Sequence, residues 1–160
     1  MNFDARAFRD ALGSFPTGVA VVTAAGADSH VGITVNSFVS VSLDPPLVLW
    51  CIDKSSERYE AFTKAKSYTV SVLGTAHQAI SVQLARGGAH QLAGVPLLPT
   101  ESGPPALADA LAIFECDVHA VYEGGDHAIL VGRVVRFVRR DAGAPLVFFR
   151  GKYGALAPPA

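Results

Sequence analysis

Cysteine is nearly absent from this chain. Cys51 and Cys116 are the only two thiols in 160 residues, and they form neither a CxxC pair nor a disulfide framework. Both stand in apolar runs where a free thiol serves as a small hydrophobe, so both are read as reduced core residues. Charge is scarce too: charged residues make up 17% of the chain, and thirteen basic against fourteen acidic side chains leave a net charge of -1. There is no dense Lys/Arg stripe beyond the scattered Arg133, Arg136, Arg139 and Arg140, which are assigned to the outer face of a strand, so nucleic acid is excluded as a partner. No apolar run of about twenty residues is free of Pro, Gly or charge, and the N-terminus lacks a basic stretch followed by an apolar one. No membrane association is expected, and the expected location is cytoplasmic.

Familiar catalytic signatures are missing as well. There is no GxGxxG, Walker loop, GxSxG or HExxH, and the five histidines (His30, His77, His90, His119, His127) show no paired metal-ligand spacing. No metal site is expected, and no acid/base dyad is visible.

What is abundant is apolar surface, at 50% of residues. A chain of this length buries roughly two-thirds of its unfolded surface, enough for a core without staples. One domain spanning 1–160 is expected, and the excess of apolar residues points to a homo-oligomer, a homodimer in the simplest case. Residues 4–15 place Phe8, Ala11, Leu12 and Phe15 at helical spacing behind Asp4 as N-cap, and Pro16 stops the pattern. Three extended runs follow, Val19–Ala25, Val31–Ser42 and Leu47–Asp53, and read as consecutive antiparallel strands. A helix is expected from Ser55-Ser56-Glu57 through Lys64, and a strand over Tyr68–Leu73. Thr75-Ala76-His77-Gln78 has the form of a capping box before a helix over Ala79–Arg86. Residues 87–110 read as a long loop with no element of its own, of the kind that often covers a site. Long strands over Leu111–Tyr122 and His127–Val138 and a short one over Leu146–Phe149 complete a mainly β chain. The fold class expected is a β-barrel of about six or seven antiparallel strands with a few peripheral helices.

One segment departs from ordinary strand composition. Between Gly32 and Leu43, Thr34, Asn36, Ser40 and Ser42 recur at even spacing, while Ile33, Val35, Val39, Val41 and Leu43 occupy the alternate positions. In an extended chain one face packs and the other offers hydroxyls and an amide to something flat. A half-exposed strand whose hydroxyls meet only water has the same pattern. Downstream, Asp53-Lys54-Ser55-Ser56-Glu57-Arg58 gathers two hydroxyls, two cations and the free N–H groups of a helix start, either an anion site or an ordinary capped surface helix. The helix dipole alone contributes only about 0.3 to 1 kcal/mol, whereas micromolar binding needs about 8, so charged partners and ring contacts must supply most of any affinity. Small polar groups, an apolar wall and an anion site are what a flavin needs, and a flavin carries its own redox chemistry, which fits the missing catalytic signatures.

The chain resembles the flavin reductase domain family with an FMN-binding split barrel, which includes the reductase components of two-component monooxygenases. The resemblance rests on Phe15-Pro16-Thr17-Gly18-Val19, the Gly32–Ser42 segment with Pro45-Pro46-Leu47, Ser55-Ser56, Gly125-Asp126-His127, Val131-Gly132-Arg133-Val134 and Gly151-Lys152-Tyr153. It implies that Thr34, Val35, Asn36, Ser37, Ser40 and Ser42 line the isoalloxazine, and that Ser55, Ser56 and Arg58 bind the ribityl phosphate. Arg86 reaches that phosphate or serves as a helix C-terminal cation. The resemblance further implies that His127 faces the nicotinamide side of the flavin in a catalytic role, with Pro16, Thr17, Lys152 and Tyr153 around the same cleft. Where the family often carries an aromatic with a basic neighbour after the position of Arg86, this chain reads Gly87-Gly88-Ala89-His90-Gln91-Leu92. The implied activity is hydride transfer from NADH or NADPH to FMN or FAD, with an oxygenase component as a partner. A flavin carrier or sensor and an oxidase of the pyridoxamine-phosphate type are the alternatives.

Overall fold

A computed structural model of the chain describes residues 4–88, 92–141 and 143–156. In chain order the elements are α1 (Ala5–Leu12), β1 (Thr17–Gly18), β2 (Ala20–Ala25), β3 (His30–Val35), β4 (Val39–Leu43), β5 (Pro46–Asp53), α2 (Tyr59–Thr63) and β6 (Ser67–Val72). A 3-10 turn (Thr75–His77) leads into α3 (Gln78–Ala85). Then come β7 (Leu97–Leu98), β8 (Ala106–Leu107), β9 (Ala112–Gly124), β10 (His127–Arg139), β11 (Leu146–Phe149) and β12 (Lys152–Ala155).

Seven strands form one antiparallel sheet in the order β3-β2-β6-β9-β10-β5-β4. Its two edge strands, β3 and β4, are consecutive in the chain and separated only by Asn36, Ser37 and Phe38. Six strand spacings of about 4.8 Å would hold the edges of a flat sheet about 29 Å apart. The four peptide steps from Val35 to Val39 span at most about 14 Å. The sheet therefore rolls into a barrel that is split between β3 and β4. The expected single strand Val31–Ser42 is thus two strands on opposite edges. Its alternation fails a second time at a bulge in β4, where Ser40 faces Val48 and Ser42 faces Leu47. Nor do Val39, Val41 and Leu43 pack as expected: all three are exposed, Leu43 at 95%.

The barrel interior is filled by apolar and aromatic side chains. Trp50 lies edge-on to Phe62 at 5.0 Å and to Tyr68 at 5.8 Å, and all three are fully buried. Burial pushes the Tyr68 phenol well above its ordinary pKa and Cys116 up to about 12, which keeps both neutral. Gly132 is required at its place, because a Cβ there would stand 2.1 Å from the Tyr68 hydroxyl. A second cluster, with Val21, Leu73, Leu84, Leu107 and Leu146 at its centre, packs α3 and the 92–110 segment against the sheet.

That segment differs from its expected role. It carries the β7–β8 hairpin, and its carbonyls accept Thr23 Oγ1 (Pro105, 2.7 Å) and Thr69 Oγ1 (Pro104, 2.6 Å), while Leu107 N–H donates to Ser71 Oγ at 3.0 Å. Among the described residues it seals a sheet face whose hydroxyls would otherwise be buried unpaired. Ala89, His90 and Gln91 lie outside the described residues.

Three further local readings are corrected. The helix expected through Lys64 is confined to Tyr59–Thr63, because residues 54–58 form turns instead. The expected capping box does not cap α3: the 3-10 turn is capped at Gly74, whose N–H donates to His77 Nδ1 at 3.1 Å, and α3 itself begins after His77 with no side-chain cap bond. Cys51 is half-buried on the outward side of β5 rather than in the core. A small sheet, β1-β11-β12, lies beside the barrel. The basic residues on β10 and just beyond it are partly exposed, and each is ion-paired: Arg133 with Asp117, Arg136 with Glu101 and Glu115, Arg139 with Asp141 and Arg140 with Asp109. No described helix is long and apolar enough to cross a membrane.

Candidate flavin and nucleotide site

The register of β5 with β10 sets His127 opposite Asp53. Together with the β3–β4 link and the end of α3, these residues surround a cavity of about 470 Å³, the cradle, within the range of ligand pockets. Alternation along β5 turns Val48, Trp50 and Ile52 into the barrel and Cys51 and Asp53 outward, so the cradle lies on the outer barrel wall.

Its floor is the turn after β5. Asp53 Oδ1 accepts both the N–H and the hydroxyl of Ser55 at 2.7 Å, and these bonds hold the Asp53 pKa below the ordinary carboxylate value. Ser56 N–H donates to Asp53 O at 3.0 Å, and Ser56 Oγ accepts the Arg58 N–H. Arg58 is buried at 5% exposure, and its guanidinium donates to the carbonyls of Leu84 (2.7 Å) and Arg86. Desolvation lowers its pKa from the usual guanidinium value. Glu57 accepts the Gly88 N–H at 3.1 Å, so the turn and residues 84–88 are tied at both ends. Lys54 does not line the cradle but ties the turn to the β9–β10 hairpin: its backbone N–H donates to Asp126 O at 2.9 Å, and its ammonium meets Glu123 and the Gly125 carbonyl.

Of the residues singled out in the sequence, the cradle brings together Thr34, Val35, Asn36, Ser37, Ser55, Ser56, Arg58, Arg86 and His127. Ser40 and Ser42 lie on β4 and do not line it. Ser37 Oγ is occupied by the Cys51 backbone, accepting its N–H at 3.0 Å, and Thr34 Oγ1 donates to Ser81 O at 2.8 Å. Ser81 Oγ in turn meets the Tyr153 hydroxyl at 2.7 Å. Thr34 and Tyr153 also line a smaller niche of about 170 Å³ with Val19 and Phe148.

A larger cleft of about 1020 Å³ adjoins the cradle and shares Asn36 and His127 with it; Thr17, Arg9, Phe148 and Arg150 are among its other walls. Pro16 and Lys152 are exposed and line neither space. His127 Nδ1 is 2.8 Å from Asp126 Oδ1, which fixes the ring at the junction of cradle and cleft. Sequence reasoning missed Cys51, Ala85, Arg9 and Arg150. Cys51 was legible as the outward alternate of Trp50 and Ile52; the other three depend on how distant segments meet.

The donor set suits a flavin. The Asn36 amide and the Arg86 guanidinium have no protein partner among the described residues, and both line the cradle beside the hydroxyls of Ser55 and Ser56. Ile33, Val35 and Ala85 supply an apolar wall.

Comparison with known proteins gives concordant findings. A family model described as "Flavin reductase like domain" matches residues 12–157. The chain is 44% identical over 151 residues to the FMN reductase (NADH) SmoA of Agrobacterium fabrum, covering 94% of this chain and 86% of that one. It is 36% identical over 159 residues to HsaB, the reductase subunit of a flavin-dependent monooxygenase of Mycobacterium tuberculosis, covering 98% and 85%. It superposes with a TM-score of 0.93 on the Streptomyces globisporus NADH:FAD oxidoreductase solved in complex with NAD and FAD fragments, at 39% identity and with 98% and 95% of the two chains covered.

Proposed function

The chain belongs to the flavin reductase like domain family, and on that premise we propose that it is an NAD(P)H-dependent flavin reductase that passes reduced FMN or FAD to an oxygenase component. The observation that carries the reading is the meeting, in one cradle, of the Asn36–Ser37 link with the Ser55–Arg58 turn, leaving the Asn36 amide and the Arg86 guanidinium unspent. In this reading a bound flavin supplies the redox chemistry by accepting a hydride from the nicotinamide. The protein holds and aligns the two. Ser55, Ser56 and Arg86 hold the phosphate end. Asn36 and the Ser37 region meet the polar edge of the ring, and Val35 backs it. Arg58 acts on the phosphate end indirectly, by fixing the carbonyl side of Arg86. His127 borders the nucleotide from the cleft side.

The same reading takes 1–160 as one cytoplasmic domain acting as a homodimer. Register places Ala120, Val131, Leu49 and Val39 in one row across four strands, and Val39, Leu43 and Tyr122 are exposed nearby at 51%, 95% and 57%. An apolar sheet face beside the cradle is what a second copy would cover. Sedimentation of the purified chain should give a dimer, and a monomer at micromolar concentration would remove this part of the reading.

Function is tested by mixing the purified chain anaerobically with FMN or FAD and NADH or NADPH. Bleaching of the yellow flavin band is expected with at least one pairing. If none of the four bleaches, the proposal fails.

A further inference from the structure

The turn joining β11 to β12 is built from an unfavourable residue. Arg150 has φ +48° and Gly151 φ +76°, so both central positions of the two-residue hairpin are left-handed. Such a turn prefers Asn, Asp or Gly at its first position, because a Cβ is strained there. The sequence places an arginine where the backbone favours glycine, and residues held in such conformations cluster at binding and active sites.

The arginine is also arranged. Its guanidinium lies over the Phe149 ring at 5.1 Å, and its N–H donates to the Gly13 carbonyl at 2.9 Å, which docks the end of α1 against the turn. That contact brings Arg9, in the last turn of α1, into the same cleft of about 1020 Å³. Neither Arg9 nor Arg150 has an ion-pair partner among the described residues, whereas Arg133, Arg136, Arg139 and Arg140 all do. Asp10 is the one carboxylate among the residues lining the cleft. His127 and Asn36 close its other side and open it onto the cradle.

We propose that Arg150, assisted by Arg9, clamps the pyrophosphate bridge of the nicotinamide dinucleotide in this cleft; the inference rests on the reductase reading above. A planar guanidinium held over a ring presents paired N–H groups suited to phosphate oxygens, and the cleft leads from that point to the ring-binding wall at His127. Nicotinamide alone would need only the His127 end. The dinucleotide would use the whole cleft.

The test uses the full chain with Arg150→Gln, which keeps length without charge, and Arg150→Gly, which the turn prefers. KM is measured for NADH and for reduced nicotinamide mononucleotide, which lacks the pyrophosphate bridge. Expected is a rise of about tenfold in the NADH KM for both variants, the size of one charge-assisted contact at an accessible site, with the mononucleotide KM changing less than twofold. Arg150→Gly should keep or raise the thermal midpoint while losing NADH affinity, a pairing that a purely structural arginine would not give. An unchanged NADH KM, or an equal rise for both nucleotides, overturns the clamp while leaving the reductase reading intact. A parent chain that reduces no flavin with NADH overturns the reductase reading itself, and the clamp with it.

Discussion

The two sides of the site are secured by very different amounts of structure. On the cradle side, Arg58 spends its guanidinium on two carbonyls of the α3 end, Glu57 holds Gly88, and Lys54 pins the turn to the β9–β10 hairpin that carries His127. On the cleft side, α1 buries none of its residues, and among the described residues one backbone hydrogen bond, Arg150 N–H to Gly13 O, joins its end to the small sheet. Regions with few buried contacts open most readily, whereas buried, multiply bonded ones hold their shape. On the proposed function, the firm side faces the flavin and the loose side faces the nucleotide that must enter and leave at each turnover.

The sharpest way to break this contrast is Arg58→Ala. It strands two carbonyls at a buried position and should cost about 2 to 4 kcal/mol of stability, read by chemical denaturation, along with a measurable loss of flavin affinity. Stability lost with flavin affinity intact would mean that the tie supports only the barrel. A smaller effect is expected from His127→Ala, at the junction of the two sides. Its kcat/KM for the nicotinamide nucleotide should fall about tenfold to a hundredfold, or about 1.4 to 2.7 kcal/mol, while a flavin titration changes little. Equal losses in both measurements would move His127 to the firm side. A parent with flavin affinity but no nicotinamide turnover would favour a carrier instead.

Much of the barrel was legible because its long strands are rich in β-branched and aromatic residues and bounded by turn residues: β9 and β10 lie within two residues of their expected ends, although two register shifts interrupt their ladder. The break between β3 and β4 was not legible. Ser37 and Phe38 do reverse the alternation, but a two-residue reversal looks the same as a local bulge, and only the rolling of a seven-stranded sheet requires the chain to leave one edge there and start the other. The same event separates Thr34–Ser37 from Ser40 and Ser42, so a ribbon that looked like one wall supplies the cradle from its first half alone. β1 and β12 are too short for a periodic signal.

The anion turn shows the limit of local charge. Lys54 and Arg58 read as the two cations of one anion site beside the hydroxyls of Ser55 and Ser56, yet tertiary contacts draw Lys54 to a hairpin and bury Arg58 against α3. Arg86 keeps its side chain exposed at the cradle. Arg9 and Arg150, far apart in the chain, carried no joint signal at all. Their meeting depends on the docking of α1 at the β11–β12 turn.

Trp50 is the lone indole of the chain, wholly enclosed, and its neighbour Cys51 looks out onto the cradle from the opposite side of the same strand. Light emitted by that indole originates a strand's thickness from wherever a coloured guest would rest. Quenching by energy transfer would therefore register the guest's arrival with no label attached, and a red shift would register the loosening of the barrel around the same residue.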